Sequence, residues 1–426
     1  MLVTGSLLAL LVAVAVWNAL VYEPVRGLDA EPYLEYATVL RLTGELPQDG
    51  AFYPPPGFFL LAAAATSLGE AVGLDPPERG AQLLNAALVV ATGLLVLALA
   101  RLVLPGRRIA HWAALAFFVC CPVVLKTGAM FHPQTLVLFL AAVAYVAVAW
   151  MLARRRYGWP GWVALVVALG AAQLVRSAAL WVAAAVGLAL LLALATQPEH
   201  RRRLALALGA ATAAALLVAL PWYVHLSRST GSAVFGREFT STPLSERWPA
   251  AFYVSPALPE LITAPHREAL PPRFWPLLYA DTWGDYFGSW SWGGPHEQTA
   301  VQAEPRLRVQ SVAGLLPTAL GVAGWLALVA GWGGRWRRSP ERALVAVVPA
   351  VALAAVLFYA VRAPSPDGDT VKALFLLPAA PAWAVSFGFA ASVLLARSRR
   401  VATPVLAAAA VCGAVALVYG TYASVS

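Results

Sequence analysis

Residues 27–56 read GLDAEPYLEYATVLRLTGELPQDGAFYPPP. The stretch is acidic and aromatic, with Asp29, Glu31, Glu35, Glu45 and Asp49 set against the single Arg41. It follows directly on an apolar run from Leu7 to Val21 and precedes another from 57 to 73. A segment this polar cannot lie in hydrocarbon, so it reads as a loop leaving the first membrane span. The surrounding chain reads as its frame.

Working outward, 60% of the 426 residues are hydrophobic and 12% charged. Several apolar runs reach about 20 residues, the length a helix needs to cross a bilayer core. Because backbone groups in hydrocarbon must pair within their own segment, runs rich in Ala, Leu and Val predict helices and not a barrel. The expected fold is therefore an all-α polytopic membrane protein, one integral membrane domain over residues 1–426. The first run lacks a basic segment before it and ends in Tyr22-Glu23-Pro24 without a small-residue cleavage pattern, so it reads as a retained span. Cys120, Cys121 and Cys412 all lie in apolar runs, with neither metal nor disulfide spacing. They read as packing residues.

The net charge of +9 is explained by where the charges fall. Sixteen of the 30 basic residues sit in five short loops, at 101–108, 154–156, 201–203, 335–342 and 397–400. That is the positive-inside pattern of cytoplasmic loops, and it removes the case for a nucleic-acid partner. Fourteen of the 21 acidic residues sit in 23–55 and 226–310, which are expected on the extracytoplasmic face. With the first, the apolar runs number twelve, and their parity fails at one point: 57–73 and 81–104 both lie between the acidic loop and the first basic loop. The preferred solution is that 57–73, short and holding Ser67, Gly69 and Glu70, dips in and returns. That leaves eleven crossings out of eleven or twelve helices. The run 159–196 holds Gln173 and Arg176 at its middle and reads as two short helices meeting at the outer face. Arg176 then either snorkels to the interface or binds an anion.

Loops as long as 23–56 and 226–310 are rarely mere connectors. The second carries Tyr279-Ala280-Asp281-Thr282-Trp283-Gly284-Asp285-Tyr286-Phe287-Gly288-Ser289-Trp290-Ser291-Trp292. Such aromatics suit either an interfacial belt or a platform on which sugar rings stack, and Asp281 and Asp285 favour the platform, with Trp283 and Tyr286 as its rings. Only Lys126 and Lys372 are lysines among the basic residues. Lys372, at the mouth of a span, suits a phosphate contact or snorkelling. His132, in a short loop after Lys126, suits a polar cap or a ligand. No His/Cys/Asp cluster has transition-metal spacing, although a divalent cation such as Mg or Mn could sit between Asp29 and Glu31 or Asp281. Walker and dinucleotide-binding signatures are absent.

The first outer loop resembles, in its form DAxxxYxxYAxxLxxxGxLP closing in an aromatic-Pro-Pro, the membrane glycosyltransferases of the GT-C superfamily, which include protein O-mannosyltransferases and the aminoarabinose transferase of lipid A. The residues that carry the likeness are Asp29-Ala30, Tyr33, Tyr36-Ala37, Leu40, Gly44-Glu45-Leu46-Pro47 and Tyr53-Pro54-Pro55. Phe131-His132-Pro133-Gln134, Pro221-Trp222-Tyr223, and Asp367-Gly368-Asp369-Thr370-Val371-Lys372 before Leu376-Leu377-Pro378 are also similar, in order, over about 350 residues. Pro32 stands where many members carry His or Glu. The resemblance implies inverting transfer of a sugar, mannose- or pentose-like, from a polyprenyl-phosphate donor to a hydroxyl of a glycan, lipid or protein acceptor at the extracytoplasmic face of the plasma membrane. Asp29 is then the general base with Glu31 beside it, and Tyr33, Tyr53, His132, Arg176, Asp281, Trp283, Asp285, Tyr286 and Lys372 bind substrate. Asp29 before a helical stretch is also good capping chemistry. The competing reading is a secondary transporter or lipid flippase, which the placement of the acids in two outer loops and the lack of an internal repeat disfavour. A third is a non-catalytic assembly subunit. Ala- and Arg-rich usage points to a GC-rich bacterial genome.

Overall fold

A computed structural model describes residues 2–47, 54–230, 243, 247–265, 270–284, 300–331, 336, 338–364 and 370–421. All regular elements among them are helical. In chain order they are α1 (Leu2–Val21), α2 (Ala30–Thr43), α3 (Gly57–Ala71), α4 (Arg79–Val103), α5 (Arg108–Val119), α6 (Pro122–Thr127), α7 (Gln134–Arg154), α8 (Trp159–Val175), α9 (Leu180–Thr196) and α10 (Arg201–Thr230). Three short helices in the second long loop follow, α11 (Ala250–Val254), α12 (Leu258–Thr263) and α13 (Phe274–Gly284). The last four are α14 (Ala300–Val329), α15 (Glu341–Arg362), α16 (Ala380–Arg397) and α17 (Arg399–Gly420), with a 3-10 segment, Ala373–Ala379, leading into α16.

Nine helices among the described residues are long and apolar enough to cross a membrane. The broken helix α5–α6, interrupted at Cys120–Cys121 with Pro122 opening its second piece, and the 17-residue α8 bring the crossings to eleven. The run 159–196 is two helices, because at Arg176 the backbone becomes extended, φ −160° and ψ 133°, before a 3-10 turn re-enters the membrane as α9.

The two ends of the bundle differ in chemistry. At one end the arginine loops gather: Arg155 pairs with Glu199 at 3.7 Å, the Tyr157 hydroxyl donates to Gln197 at 2.5 Å, and Arg107 reaches Ser392 at 2.9 Å. At the other end lie α2, α3 and α11–α13. The helix α3 does not cross. Its first residue, Gly57, lies against the Leu174 carbonyl where α8 ends, and Gly69 near its other end lies against the Pro77 carbonyl just before α4 begins. Both ends of α3 thus belong to one end of the bundle. At Gly69 and Gly80 a Cβ would run into backbone carbonyl groups of Pro77 and Ala65, so α3 and α4 pack at backbone contact as small-residue membrane interfaces do. Phe58 and Phe59, each fully buried, anchor α3 on its inner face, worth about 1.5–3 kcal/mol each by transfer. Tyr36 of α2 stacks on Phe59 at 4.1 Å, and Arg41 bridges to Glu70 at 2.6 Å. The helices α2 and α3 therefore form a cap on the bundle. Instead of dipping in and returning as expected, 57–73 continues as a helix along this end.

Candidate active site

Between α1 and α2 the chain folds back on itself through Gly27, at φ +105°, where a Cβ would meet the Met130 Cε at 2.9 Å and the Tyr22 hydroxyl at 3.0 Å. Only glycine suits that contact and that backbone. The next residues seat Leu28 in an apolar cluster with Tyr22, Ala129, Met130, Leu307 and Leu374. Asp29 follows with a left-handed backbone, φ 53° and ψ 20°, which Asp tolerates better than most residues. It occupies the N-cap position of α2, yet its side chain makes no capping bond. A cap requires an extended backbone to aim the carboxylate at the first N–H groups, and the left-handed turn aims it elsewhere. The carboxylate is exposed and accepts a hydrogen bond from the Tyr33 hydroxyl at 3.2 Å.

Tyr33 leads to the next group. Its ring lies 5.3 Å from the His132 ring, which is fully buried. The loop carrying His132 is clamped by two amides one helical turn apart on α4. Gln82 donates to the Tyr22 and Ala129 carbonyls at 3.0 and 2.8 Å, and Asn85 to those of Met130 and His132 at 2.9 and 3.2 Å. The Gln134 N–H donates to His132 Nδ1 at 3.1 Å, and Arg176 stands 3.3 Å from Nε2. Burial, then the charges of Arg176 and Lys372, hold the His132 pKa well below its ordinary value, so the ring is neutral. With Nδ1 accepting, the ring proton sits on Nε2. Two donors, Nε2–H and the guanidinium, then stand side by side.

Arg176 also lies over the Phe375 ring at 5.5 Å. Lys372, 8% exposed, enters the 3-10 segment with an extended backbone. That segment is tied down by Asp281, whose Oδ2 accepts the Ala373 N–H at 3.3 Å. Asp281 is thus a buried anchor for the Lys372 segment, bonded to backbone. The structure brings Asp29, Tyr33, His132, Arg176 and Lys372 into one neighbourhood. Glu31 is exposed on the first turn of α2. Trp283 lies elsewhere: it is 2% exposed, its indole N–H donates to Thr318 at 2.8 Å, and its ring lies flat on Gly314 inside the bundle. Tyr53, Asp285 and Tyr286 lie outside the described residues.

Below Arg176 opens a cavity of about 310 Å³ between α9 and α15. Its walls include Trp181, Ala184, Ala355, Tyr359 and Phe375, with Pro54 and Pro55 near its mouth. The volume falls in the range of small-molecule sites. Among the described residues its walls are almost wholly apolar, with Arg176 their one charged member. These groove residues carry no sequence signal beyond apolarity; Gln82 and Asn85 were missed from sequence, although two amides a turn apart in an apolar run are a signal that marks them.

Among the described residues no group of three His, Cys, Asp or Glu could hold a metal, and neither His132 nitrogen offers a free lone pair, Nδ1 accepting the Gln134 N–H and Nε2 carrying the ring proton beside Arg176.

No protein-family model and no curated protein sequence matches the chain. Solved structures do. The archaeal oligosaccharyltransferase AglB from Archaeoglobus fulgidus, in complex with an inhibitory peptide and a dolichol-phosphate, aligns over 99% of this chain and 56% of its own with a TM-score of 0.60 and 15% identity. The same oligosaccharyltransferase in complex with Zn and sulfate aligns over 98% of this chain and 53% of its own, with a TM-score of 0.57 and 16% identity. ArnT from Cupriavidus metallidurans bound to undecaprenyl phosphate aligns over 91% of this chain and 77% of its own at a TM-score of 0.45 and 19% identity. The chain thus shares the fold of the corresponding part of the archaeal oligosaccharyltransferase and spans little more than half of that protein's length.

Proposed function

We propose that the chain is an integral membrane glycosyltransferase that moves a sugar from a polyprenyl-phosphate donor to an acceptor hydroxyl at the extracytoplasmic face. One observation carries the reading: an uncapped, exposed carboxylate, Asp29, shares an end of the bundle with the cationic group of Arg176 and Lys372, set above an open apolar groove. Apolar walls suit a prenyl chain, and the positive mouth suits its phosphate. The paired donors of His132 Nε2 and Arg176 are relieved by a shared anionic oxygen. A flippase would use the same groove and cations but gives the carboxylate no task.

In the proposed step the acceptor hydroxyl oxygen attacks the anomeric carbon while the bond from that carbon to the phosphate oxygen breaks. The bonding pair leaves with the phosphate. Arg176, Lys372 and the His132 N–H stabilise the charge that develops there. Asp29 takes the hydroxyl proton, held in orientation by Tyr33, and attack opposite the leaving phosphate inverts the anomeric centre. Glu31 adds a second carboxylate on the exposed turn. The sugar, mannose- or pentose-like, faces α2.

The test is a membrane assay with radiolabelled polyprenyl-phosphate sugars on wild type and Asp29→Asn. Asn tolerates the left-handed backbone and no cap bond is lost, so the variant should fold with stability within about 0.5 kcal/mol of wild type. Transfer should fall by about 10²- to 10⁴-fold. Wild-type activity in the Asn variant would remove Asp29 as the base.

A further inference from the structure

Away from the site, α8, α9 and α10 part to leave a cavity of about 420 Å³. It lies across α9 from the groove below Arg176, for Leu180 and Ala184 of α9 line both. Protein interiors are close-packed, so a void of this size costs stability unless something fills it. Leu188, Leu191 and Leu216 on its lining are 42%, 53% and 56% exposed, so the cavity opens sideways to the bilayer. Whatever fills it comes from the membrane.

One polar side chain says what that filling carries. Gln173, in the last turn of α8, lines the cavity and is 4% exposed. Its Oε1 accepts the Tyr223 hydroxyl of α10, while its Nε2 is buried with no partner. A buried amide nitrogen left in that state is rare and costly. It offers N–H groups only, so the missing partner is an accepting oxygen. Among the described residues the wall holds no charged side chain, unlike the groove below Arg176. A phosphate would find no countercharge here, which sets aside a polyprenyl phosphate, whose chain carries no other oxygen. A neutral carbonyl suffices. Depth agrees, for Gln173 sits two residues, about 3 Å, inside the end of α8. In a glycerophospholipid the ester carbonyls lie a few bonds to the chain side of the phosphate, where polar groups give way to hydrocarbon.

We infer that a diacyl glycerophospholipid of the bilayer is seated between α8, α9 and α10, one acyl chain in the cavity and its ester carbonyl accepting the Gln173 Nε2–H. The seat is separate from the carrier groove and takes no part in the transfer step. Because α9 stands between the two, the lipid backs the helix that walls the groove.

The test reads lipid binding to the purified full chain. Delipidated protein in detergent is given dioleoyl phosphatidylcholine or its diether analogue, which keeps head and chains but lacks the carbonyls, and bound lipid is counted by native mass spectrometry beside thermal melts. Wild type should bind the diester about 3- to 10-fold tighter than the diether. Gly187 lines the cavity, and a Cβ there meets nothing within 4 Å, so Gly187→Phe puts a ring where the chain would lie. That variant should lose the bound lipid while melting at or above the temperature of lipid-free wild type. Gln173→Leu combined with Tyr223→Phe removes both members of the pair, so neither is orphaned, and should bind diester and diether alike. Undecaprenyl phosphate should leave the bound phospholipid in place. Equal affinity of wild type for the two lipids, or undiminished binding by Gly187→Phe, overturns the inference. So does displacement by undecaprenyl phosphate, which would make the cavity a second carrier site. None of these readouts involves sugar transfer, so the transferase reading stands or falls separately.

Discussion

At the scale of single residues, His132 shows how burial becomes a pH response. Its folded pKa is depressed, so below the unfolded value near 6.5 the unfolded chain binds a proton that the folded chain refuses. The stability contribution is complete above that pH and is lost as pH falls toward the folded pKa. Thermal melts of the purified protein should therefore show a melting temperature that drops between pH 7 and 5, and His132→Gln should flatten that drop. Parallel profiles for the two proteins would mean that His132 stays in contact with water. The contacts of this ring also show how far a single sequence reaches. Asp29 and Tyr33 are four apart on one helix, so their meeting is legible from spacing. His132 and Arg176 are 44 residues apart and meet only because α7 and α8 pack together. Sequence supplied each as a candidate and could not supply the pair. Trp283 illustrates the reverse, for its position in an aromatic-acidic run suggested an open platform, whereas its indole is fully satisfied inside the bundle. Local composition does not say which way a ring points.

At the scale of elements, the apolar runs were legible because length and hydropathy are intrinsic to a span. The exception, α3, is apolar on both sides. It buries Phe58, Phe59, Ala62 and Ala63 against α2 and α4, yet exposes Leu60, Leu61, Leu68 and Val72 at 47–66%. Exposed leucines on a helix at the end of a membrane bundle are suited to the headgroup boundary, where an apolar surface is sheltered without spanning. Hydropathy alone cannot separate that case from a short span, and the sequence clues were the parity of the charged loops and the shortness of 57–73 with its Ser67, Gly69 and Glu70. The placement is open to a direct measurement. Cysteine introduced at Val72, in intact cells treated with a membrane-impermeant maleimide, should react, while cysteine at Ser398 in the arginine-rich end should not. Were α3 a crossing, a cysteine at Val72 and one at the exposed Leu42 before it would lie on opposite sides and label oppositely, whereas both react if α3 stays at this end.

At the scale of the whole molecule, the groove below Arg176 is the feature furthest from the sequence, since its two walls, α9 and α15, are separated by more than a hundred residues of chain. In a membrane the lipid-facing and groove-facing sides of a helix are equally apolar, so no hydrophobic pattern marks which residues line a cavity. Among the described lining residues it is Arg176, at its polar end, that betrays it. That division of labour, chain below and charge above, predicts a separable pair of defects. Ala355→Trp places a ring in the groove and should raise the KM for a long undecaprenyl-phosphate sugar by about tenfold or more, while leaving a short-chain analogue such as a citronellyl-phosphate sugar unaffected. Arg176→Gln removes a charged contact to the phosphate, worth about 1.5–3 kcal/mol, and should weaken both donors by about 10- to 150-fold regardless of chain length. KM values for the two donors on the two variants, measured beside thermal melts, decide the matter. If Ala355→Trp impairs both donors equally, the groove does not hold the prenyl chain. If Arg176→Gln spares both, the cation at its mouth does not hold the phosphate.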